Sequence, residues 1–208
     1  MKKRFLVSGL SVLMLSALPS AAGAAAGSVP TLTPSTPSSS ALGPSAGLAG
    51  KPIGPGCSIL SSSGRGSLRS AARERVTTVV ANTPDLSTLN TALKDVGLTG
   101  KLYRTKDITI FAPSNAAFNQ LPPATLKKLL RDRTQLTKLL AYHVVQGAKT
   151  PSQLVGAPLK TLQGGQITVK GSGQNYIVSG RAKVVCGGIP TKNATLYIID
   201  KVLLPHSK

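Results

Sequence analysis

Apolar positions between residues 67 and 140 recur every three to four residues, the spacing of one face of an α-helix. This spacing predicts four helices, over residues 67–81, 85–96, 124–130 and 132–140. We expect Asn82-Thr83-Pro84 to end the first helix, and Gly97 and Gly100 to end the second. The expected buried faces consist of Val76, Val79, Val80, Leu86, Leu89, Leu93, Val96, Leu126, Leu129, Leu130, Leu136, Leu139 and Leu140.

From Tyr142 onward the pattern changes to short runs rich in β-branched and apolar residues, separated by glycines, which is typical of strands. The runs cover residues 142–145, 159–162, 166–170, 175–178, 182–186, 194–199 and 202–204. Gly164-Gly165 lies between two of them and predicts a hairpin. Because helices precede strands instead of alternating with them, the chain is expected to be an α+β domain.

The stretch Thr109–Phe118 predicts a junction between a strand and a helix. Thr109, Ile110 and Phe111 form a short β-rich run, and Pro113 disfavours helical geometry for the residue before it. Ser114 then stands where the N-cap of a helix is expected, and its hydroxyl can accept a hydrogen bond from a free amide of the first turn.

Composition divides the 208-residue chain into three segments. Residues 1–26 have a charged start, an apolar run and small residues at the end, as a secretory signal peptide does. A membrane anchor is the alternative, although the apolar run is shorter than the roughly 20 residues of a spanning helix. Residues 27–66 are rich in Ser, Pro, Gly and Ala and predict a flexible linker that holds Cys57 near its end. Residues 67–208 have the length of one domain.

The two cysteines, Cys57 and Cys186, form an even set, which in an exported chain indicates a disulfide. A bond across so long a loop would stabilise the fold by about 4–5 kcal/mol in the loop-entropy description. The alternatives are a metal site, which needs three or four ligands, and a redox pair, which usually has C-x-x-C spacing.

Lys and Arg number 25 against 6 Asp and Glu, a net charge of +19, which becomes +16 when Lys2, Lys3 and Arg4 leave with a signal peptide. Such a charge attracts polyanions in general. A surface that only keeps the protein soluble is the alternative. Aromatic residues make up 3% of the chain, which disfavours single-strand nucleic-acid binding by stacking. We therefore expect no sequence-specific nucleic-acid partner.

The residues show no motif for catalysis or for a cofactor. Ser114 lacks the G-x-S-x-G context of a hydrolase nucleophile, no paired carboxylates are evident, and no phosphate-binding or dinucleotide fingerprint is present. Asn193-Ala194-Thr195 matches a glycosylation sequon. The chain is thus expected to be neither an enzyme nor a cofactor or metal protein.

Three segments in the right order resemble the fasciclin domain, an extracellular adhesion module. They are Thr109–Phe118, the Tyr142-His143 pair after the leucine-rich helix, and the stretch from Ala194 to Pro205, which ends in Leu204-Pro205. The surroundings of Cys57 and Cys186 further resemble small exported bacterial proteins with one fasciclin domain and one disulfide. The resemblance implies a wedge of twisted β-sheets with a helical layer, a role in adhesion or matrix contact, and no catalytic chemistry.

The resemblance points to Tyr142 and His143 as adhesion contacts. The alternative for His143 is a partly buried ring that bonds to the backbone and orders the turn from helix to strand. For polyanions, the expected contacts are Lys127, Lys128, Arg131, Arg133 and Lys138.

The sequence thus predicts a protein that is secreted or held at the cell envelope and does not span a membrane once its signal is cleaved. Its function would be non-enzymatic adhesion or extracellular-matrix-type binding, to a cell-surface protein or an anionic polysaccharide. A carrier of a small apolar ligand or lipid is the alternative.

Overall fold

The computed structural model describes residues 52–60, 64 and 67–205. The predicted signal peptide and most of the predicted linker lie outside these residues. The described part contains eight α-helices. They are α1 (Leu68–Ala71), α2 (Val76–Asn82), α3 (Ser87–Asp95), α4 (Leu98–Arg104), α5 (Asn115–Asn119), α6 (Pro123–Arg131), α7 (Arg133–Tyr142) and α8 (Pro151–Leu154). None of the described helices is long and apolar enough to cross a membrane.

Eight strands form two sheets within the same part of the chain. They are β1 (Ile108–Pro113), β2 (Val144–Gln146), β3 (Leu159–Lys160), β4 (Gln166–Ile167), β5 (Val169–Ser172), β6 (Asn175–Val178), β7 (Ala182–Pro190) and β8 (Ala194–Ile199). The large sheet has the order β2-β1-β8-β7-β6-β5, and β3 pairs with β4 in a separate hairpin. Among the pairs of neighbouring strands in the described residues, only β1–β8 is parallel. The α+β prediction is confirmed.

The central strands β1 and β8 carry an apolar core on each face. Alternate residues of a strand point to opposite faces, and Ile110 and Leu196 pack in the cluster that includes the helices. Their neighbours Phe111 and Tyr197 pack in a second cluster with residues of the later strands, and their rings lie 5.7 Å apart. Every residue of β1 is buried, so this strand is covered on both sides.

The strand-to-helix junction after β1 forms as predicted. The Ser114 hydroxyl accepts a hydrogen bond from the Ala117 amide, which caps α5. The Ser114 amide donates to the Ile199 carbonyl at the end of β8. One residue therefore ends the strand, starts the helix and ties both to the parallel partner strand.

The prediction of a single helix over residues 67–81 is wrong. This stretch forms two helices, α1 and α2, because Arg75 adopts an extended backbone (φ −75°, ψ 151°) at the start of α2. Gly100 does not end a helix but lies inside α4. Leu130 was expected in the core, yet it is 42% exposed, and α6 has no fully buried residue.

Several predicted strands also differ from the structure. The strand predicted over residues 166–170 is divided between β4 and β5. Tyr142 belongs to the end of α7, so β2 starts only at Val144. Residues 202–204 form no strand, because the Leu203 amide donates to the ring of His143 instead of to a neighbouring strand.

A disulfide joins Cys57 to Cys186 on β7, which confirms the predicted bond. Beside it, Ile53 and Gly187 exchange two backbone hydrogen bonds, and the Gly56 amide donates to the Val185 carbonyl. Leu60 is buried in the helical core cluster. Residues 52–60 therefore pack on the domain, although the sequence placed them in the linker before residue 67.

Candidate functional site

The five cations expected to bind polyanions lie on two consecutive helices. We call them the α6–α7 patch: Lys127, Lys128, Arg131, Arg133 and Lys138, all of which are exposed. Pro123 stands in the first turn of α6, where its missing amide proton costs no helical hydrogen bond. Asp132 separates the helices, and its carboxylate caps α7 by accepting from the Gln135 amide at 3.0 Å.

The amphipathic pattern of α6 decides which way its charges face. Leu126 and Leu129 are half-buried against the helical core cluster. Residues 127, 128 and 131 fall on the remaining arc of the helix, because neighbours in sequence are about 100° apart around an α-helix. The lysines and the arginine of α6 therefore project into solvent, with the leucines beneath them.

The structure brings four of the five patch residues to one shallow depression. Lys127, Lys128, Arg131 and Arg133 line it together with Ala124 and Asp132. Lys138 does not reach this depression. It lines a neighbouring groove with Lys128, Leu204 and Pro205. The patch thus has a compact cationic part and one outlying lysine.

Asp132 is the one acidic residue that lines the cationic depression. The hydrogen bond from the Gln135 amide holds the pKa of this carboxyl below its usual value, and the charge of Lys128 acts in the same direction. Asp132 is therefore ionised at neutral pH and offsets one of the four positive charges around it.

The two residues expected as adhesion contacts are buried instead. Tyr142 is 4% exposed, and its hydroxyl donates to the Gln166 carbonyl at 2.9 Å. His143 is 2% exposed and caps the end of α7. In this conformation neither side chain is available to a partner, so their role as adhesion contacts stays a prediction.

Both ring nitrogens of His143 bond to the backbone. Nδ1 lies 2.8 Å from the Leu139 carbonyl oxygen, and Nε2 lies 3.0 Å from the Leu203 amide, which can only donate. Nε2 must therefore be the acceptor, and the proton sits on Nδ1. Burial lowers the pKa of His143 to about 4, so the ring is neutral at physiological pH. The residue fastens α7 to the C-terminal segment.

Asn193 is a structural residue that the sequence analysis missed. Its side-chain oxygen accepts from the Val76 amide, and its amide donates to the Leu102 and Thr105 carbonyls. The side chain is 5% exposed. The sequon at this position is thus closed to a sugar in the folded protein. In the sequence, the Asn-x-Thr pattern was the one feature that drew attention to Asn193, and it does not indicate this structural role.

Inside the helical core, a small void is lined by apolar residues of α2, α3 and β1 and by His143. It leaves about 10 Å³ of free volume, which is at most the room for one water molecule. A lipid does not fit in this conformation, so the void gives the carrier alternative no support. Among the described residues, no group of three or more His, Cys, Asp or Glu side chains is placed to hold a metal ion.

The chain resembles two mycobacterial proteins over most of its length. Immunogenic protein MPB70 of Mycobacterium bovis is 41% identical over 165 residues, which cover 76% of this chain and 84% of the relative. Cell surface glycolipoprotein MPB83 of the same organism is 42% identical over 164 residues, 75% of this chain and 73% of the relative. The protein is accordingly secreted or located at the cell envelope, as the sequence predicted.

The solved structure of a FAS1 domain pair from the insect cell adhesion molecule Fasciclin I has the same fold. The TM-score is 0.56 at 19% sequence identity, and the match covers 64% of this chain and 51% of the insect chain. The fasciclin domain family model matches residues 84–205, more than half of the sequence. Family model, relatives and fold agree, and the chain belongs to the fasciclin domain family.

Proposed function

We propose that this protein is an extracellular adhesion module that binds an anionic polymer by surface contact through the α6–α7 patch. Membership of the fasciclin family and relatives such as a cell-surface glycolipoprotein support an adhesion-type role. The polymer is an acidic polysaccharide of a neighbouring cell or matrix.

The observation that carries this proposal is the concentration of exposed cations on one pair of helices. Four positive side chains line one depression against a single carboxylate, Asp132. An isolated exposed pair of charges contributes only about 0.2–1 kcal/mol. A polymer that presents many negative groups can contact several of these cations at once, so that the small free energies of the individual contacts add up to a measurable affinity.

The test compares two variants with equal net charge. One replaces the five patch residues with alanine. The matched control replaces five exposed cations elsewhere, namely Lys94, Lys160, Lys170, Arg181 and Lys183. Binding of the purified chain to immobilised alginate is measured at low and at physiological salt. Losing five contacts of about 0.3 kcal/mol each weakens binding roughly tenfold in the patch variant.

The control separates a specific patch from general electrostatics. We expect the control variant to keep most of the affinity at physiological salt, where charges more than about 8 Å apart are screened. Equal losses in both variants would mean that net charge alone attracts the polymer. The melting temperature of both variants should stay within a few degrees of the parent, because all ten side chains are exposed.

A further inference from the structure

A second group of cations, which shares no residue with the α6–α7 patch, lies at the end of the sheet where β1 and β8 begin. Because these strands are parallel, the segments that precede them lie side by side. The groove between them has a volume of about 480 Å³, within the range of small-ligand pockets. We call it the β1–β8 groove. Its polar lining includes Arg75, Lys106, Asp107, Thr191, Lys192 and Asn193.

The floor of the groove is held rigidly by hydrogen bonds. The Asn193 side chain bonds to three backbone groups, on α2, on α4 and in the loop after α4. The Thr191 hydroxyl donates to the Ala194 carbonyl and accepts from the Ala194 amide. The Lys192 amide donates to the Glu74 carbonyl. The segment between β7 and β8 is therefore fixed before any ligand arrives, which limits the entropy lost on binding.

Arg75 is the best-positioned cation of the groove. Its guanidinium carbon stacks over the Tyr103 ring, 4.3 Å from the centroid, and one terminal nitrogen donates to the Tyr103 carbonyl. The side chain is half-buried. A guanidinium has five N–H donors in a planar fork that matches carboxylate and phosphate oxygens. Stacking fixes the plane of this fork, and the contact with Tyr103 leaves donors free for a ligand.

The charge and the remaining lining indicate the class of ligand. Arg75, Lys106 and Lys192 oppose one carboxylate, Asp107, so the groove has a net charge of +2. Ala148, Pro190 and Ala194 supply apolar wall beside the cations. A bare ion would leave that wall unused, whereas an oxyanion on a carbon skeleton would contact both parts.

We propose that the β1–β8 groove binds a small organic oxyanion of sugar size, with Arg75, Lys106 and Lys192 around its phosphate or carboxylate group. This site is independent of the α6–α7 patch and does not rest on the adhesion proposal. The groove would recognise a single charged sugar residue, such as the one at the end of a polymer, whereas the α6–α7 patch would contact many charges along the polymer.

The test is a titration of the ¹⁵N-labelled full chain, followed by NMR, with glucose 6-phosphate, glucuronate and inorganic phosphate. We expect the two sugars to shift the amides of residues 106–107 and 191–195. Lys106→Gln with Lys192→Gln should weaken sugar phosphate binding about tenfold, since it removes two charge-assisted contacts. Both lysines are exposed, so this variant keeps its fold. Lys170→Gln, on β5, is the control and should bind as the parent does.

Two further variants sharpen the result. Arg75→Lys keeps the charge but loses the planar fork, so it should bind more weakly than the parent. The five-alanine variant of the α6–α7 patch should bind glucose 6-phosphate normally. Unchanged affinity in the double glutamine variant, or shifts spread over all exposed lysines, would overturn the site. Equal affinity for inorganic phosphate and glucose 6-phosphate would overturn the proposed role of the apolar wall.

Discussion

Protonation of His143 is expected to destabilise the fold in mild acid. In the native state Nε2 accepts from the Leu203 amide, and the buried ring has a pKa of about 4 instead of 6.5. A proton on Nε2 would turn this nitrogen into a donor that faces another donor, the Leu203 amide, and would place a charge in an apolar core. The native state therefore resists protonation, while the unfolded chain protonates near pH 6.5.

The difference between the folded and unfolded pKa values of His143 sets the direction and the size of the change in stability with pH. Because the folded pKa is the lower one, the stabilisation by neutral His143 is complete above pH 6.5 and is lost as the pH falls towards 4. Each pH unit in this window costs about 1.4 kcal/mol, or about 2 kcal/mol between pH 6.5 and 5. The total reaches about 3 kcal/mol near pH 4, a large share of the 5–15 kcal/mol typical of a domain.

Urea unfolding of the parent chain and of His143→Gln at several pH values between 7 and 4.5 measures this effect. The glutamine side chain of this variant can still hydrogen-bond but does not titrate, so its free energy of unfolding should change little with pH. At pH 7 the variant should be less stable than the parent, because a side-chain amide does not fill the site of the ring. Asp132 also has a lowered pKa, and its contribution to stability is lost as the pH falls. That loss begins only near the ordinary aspartate value of 3.8, below the pH range of this experiment.

Two results would refute this reasoning. A parent chain equally stable at pH 7 and 4.5 would mean that His143 is not buried as a neutral ring. The same acid sensitivity in His143→Gln would assign the effect to other groups. An NMR titration of the ring protons gives the pKa directly.

Two other substitutions test the framework around the candidate sites. Asn193→Ala removes three hydrogen bonds and leaves the buried Val76 amide without a partner, which should cost about 3 kcal/mol; a loss below about 1 kcal/mol in urea unfolding would argue against this role. Replacing Cys57 and Cys186 together with alanine opens a closure of 129 residues and should cost about 5 kcal/mol. Thermal unfolding of the parent with and without reductant checks that loss, and equal midpoints would contradict it.

Local signals were enough to predict much of the fold. The Pro113-Ser114 pair correctly located the end of β1 and the cap of α5, because both effects act within a few residues. The leucines of α7 were correctly placed in the core from their spacing alone. The cysteine pair was predicted from export and an even count. Such features need no knowledge of distant neighbours.

Features set by distant contacts were not predictable in this way. Strand β7 was expected to end at Cys186, but it continues to Pro190 through Gly187. A Cβ atom at Gly187 would collide with the Tyr197 ring, so this glycine makes room for a neighbouring aromatic side chain instead of ending a strand. No local pattern reveals that requirement.

The candidate sites also differ in whether they depend on local sequence or on distant contacts. The α6–α7 patch was predicted because its cations are close in sequence and only need a helix to face outwards. The burial of His143 depends on Leu203, 60 residues away. The β1–β8 groove collects Arg75, Lys106 and Lys192 from three separate loops. The parallel pairing of β1 and β8 places Lys106 beside Lys192, and hydrogen bonds of the Lys192 amide and the Asn193 side chain to the residues on either side of Arg75 bring in the third cation.

The disulfide determines how the domain responds to a force applied to the chain on the N-terminal side of Cys57. Tension applied through the chain before Cys57 passes through the sulfur atoms directly into β7, which is hydrogen-bonded to β6 and β8. The 129-residue stretch between the cysteines could otherwise extend to about 430 Å. With the bond intact, the Cα atoms at the two ends of this stretch stay 4.7 Å apart, so a force on the chain before Cys57 cannot unravel the helices from their N-terminal side.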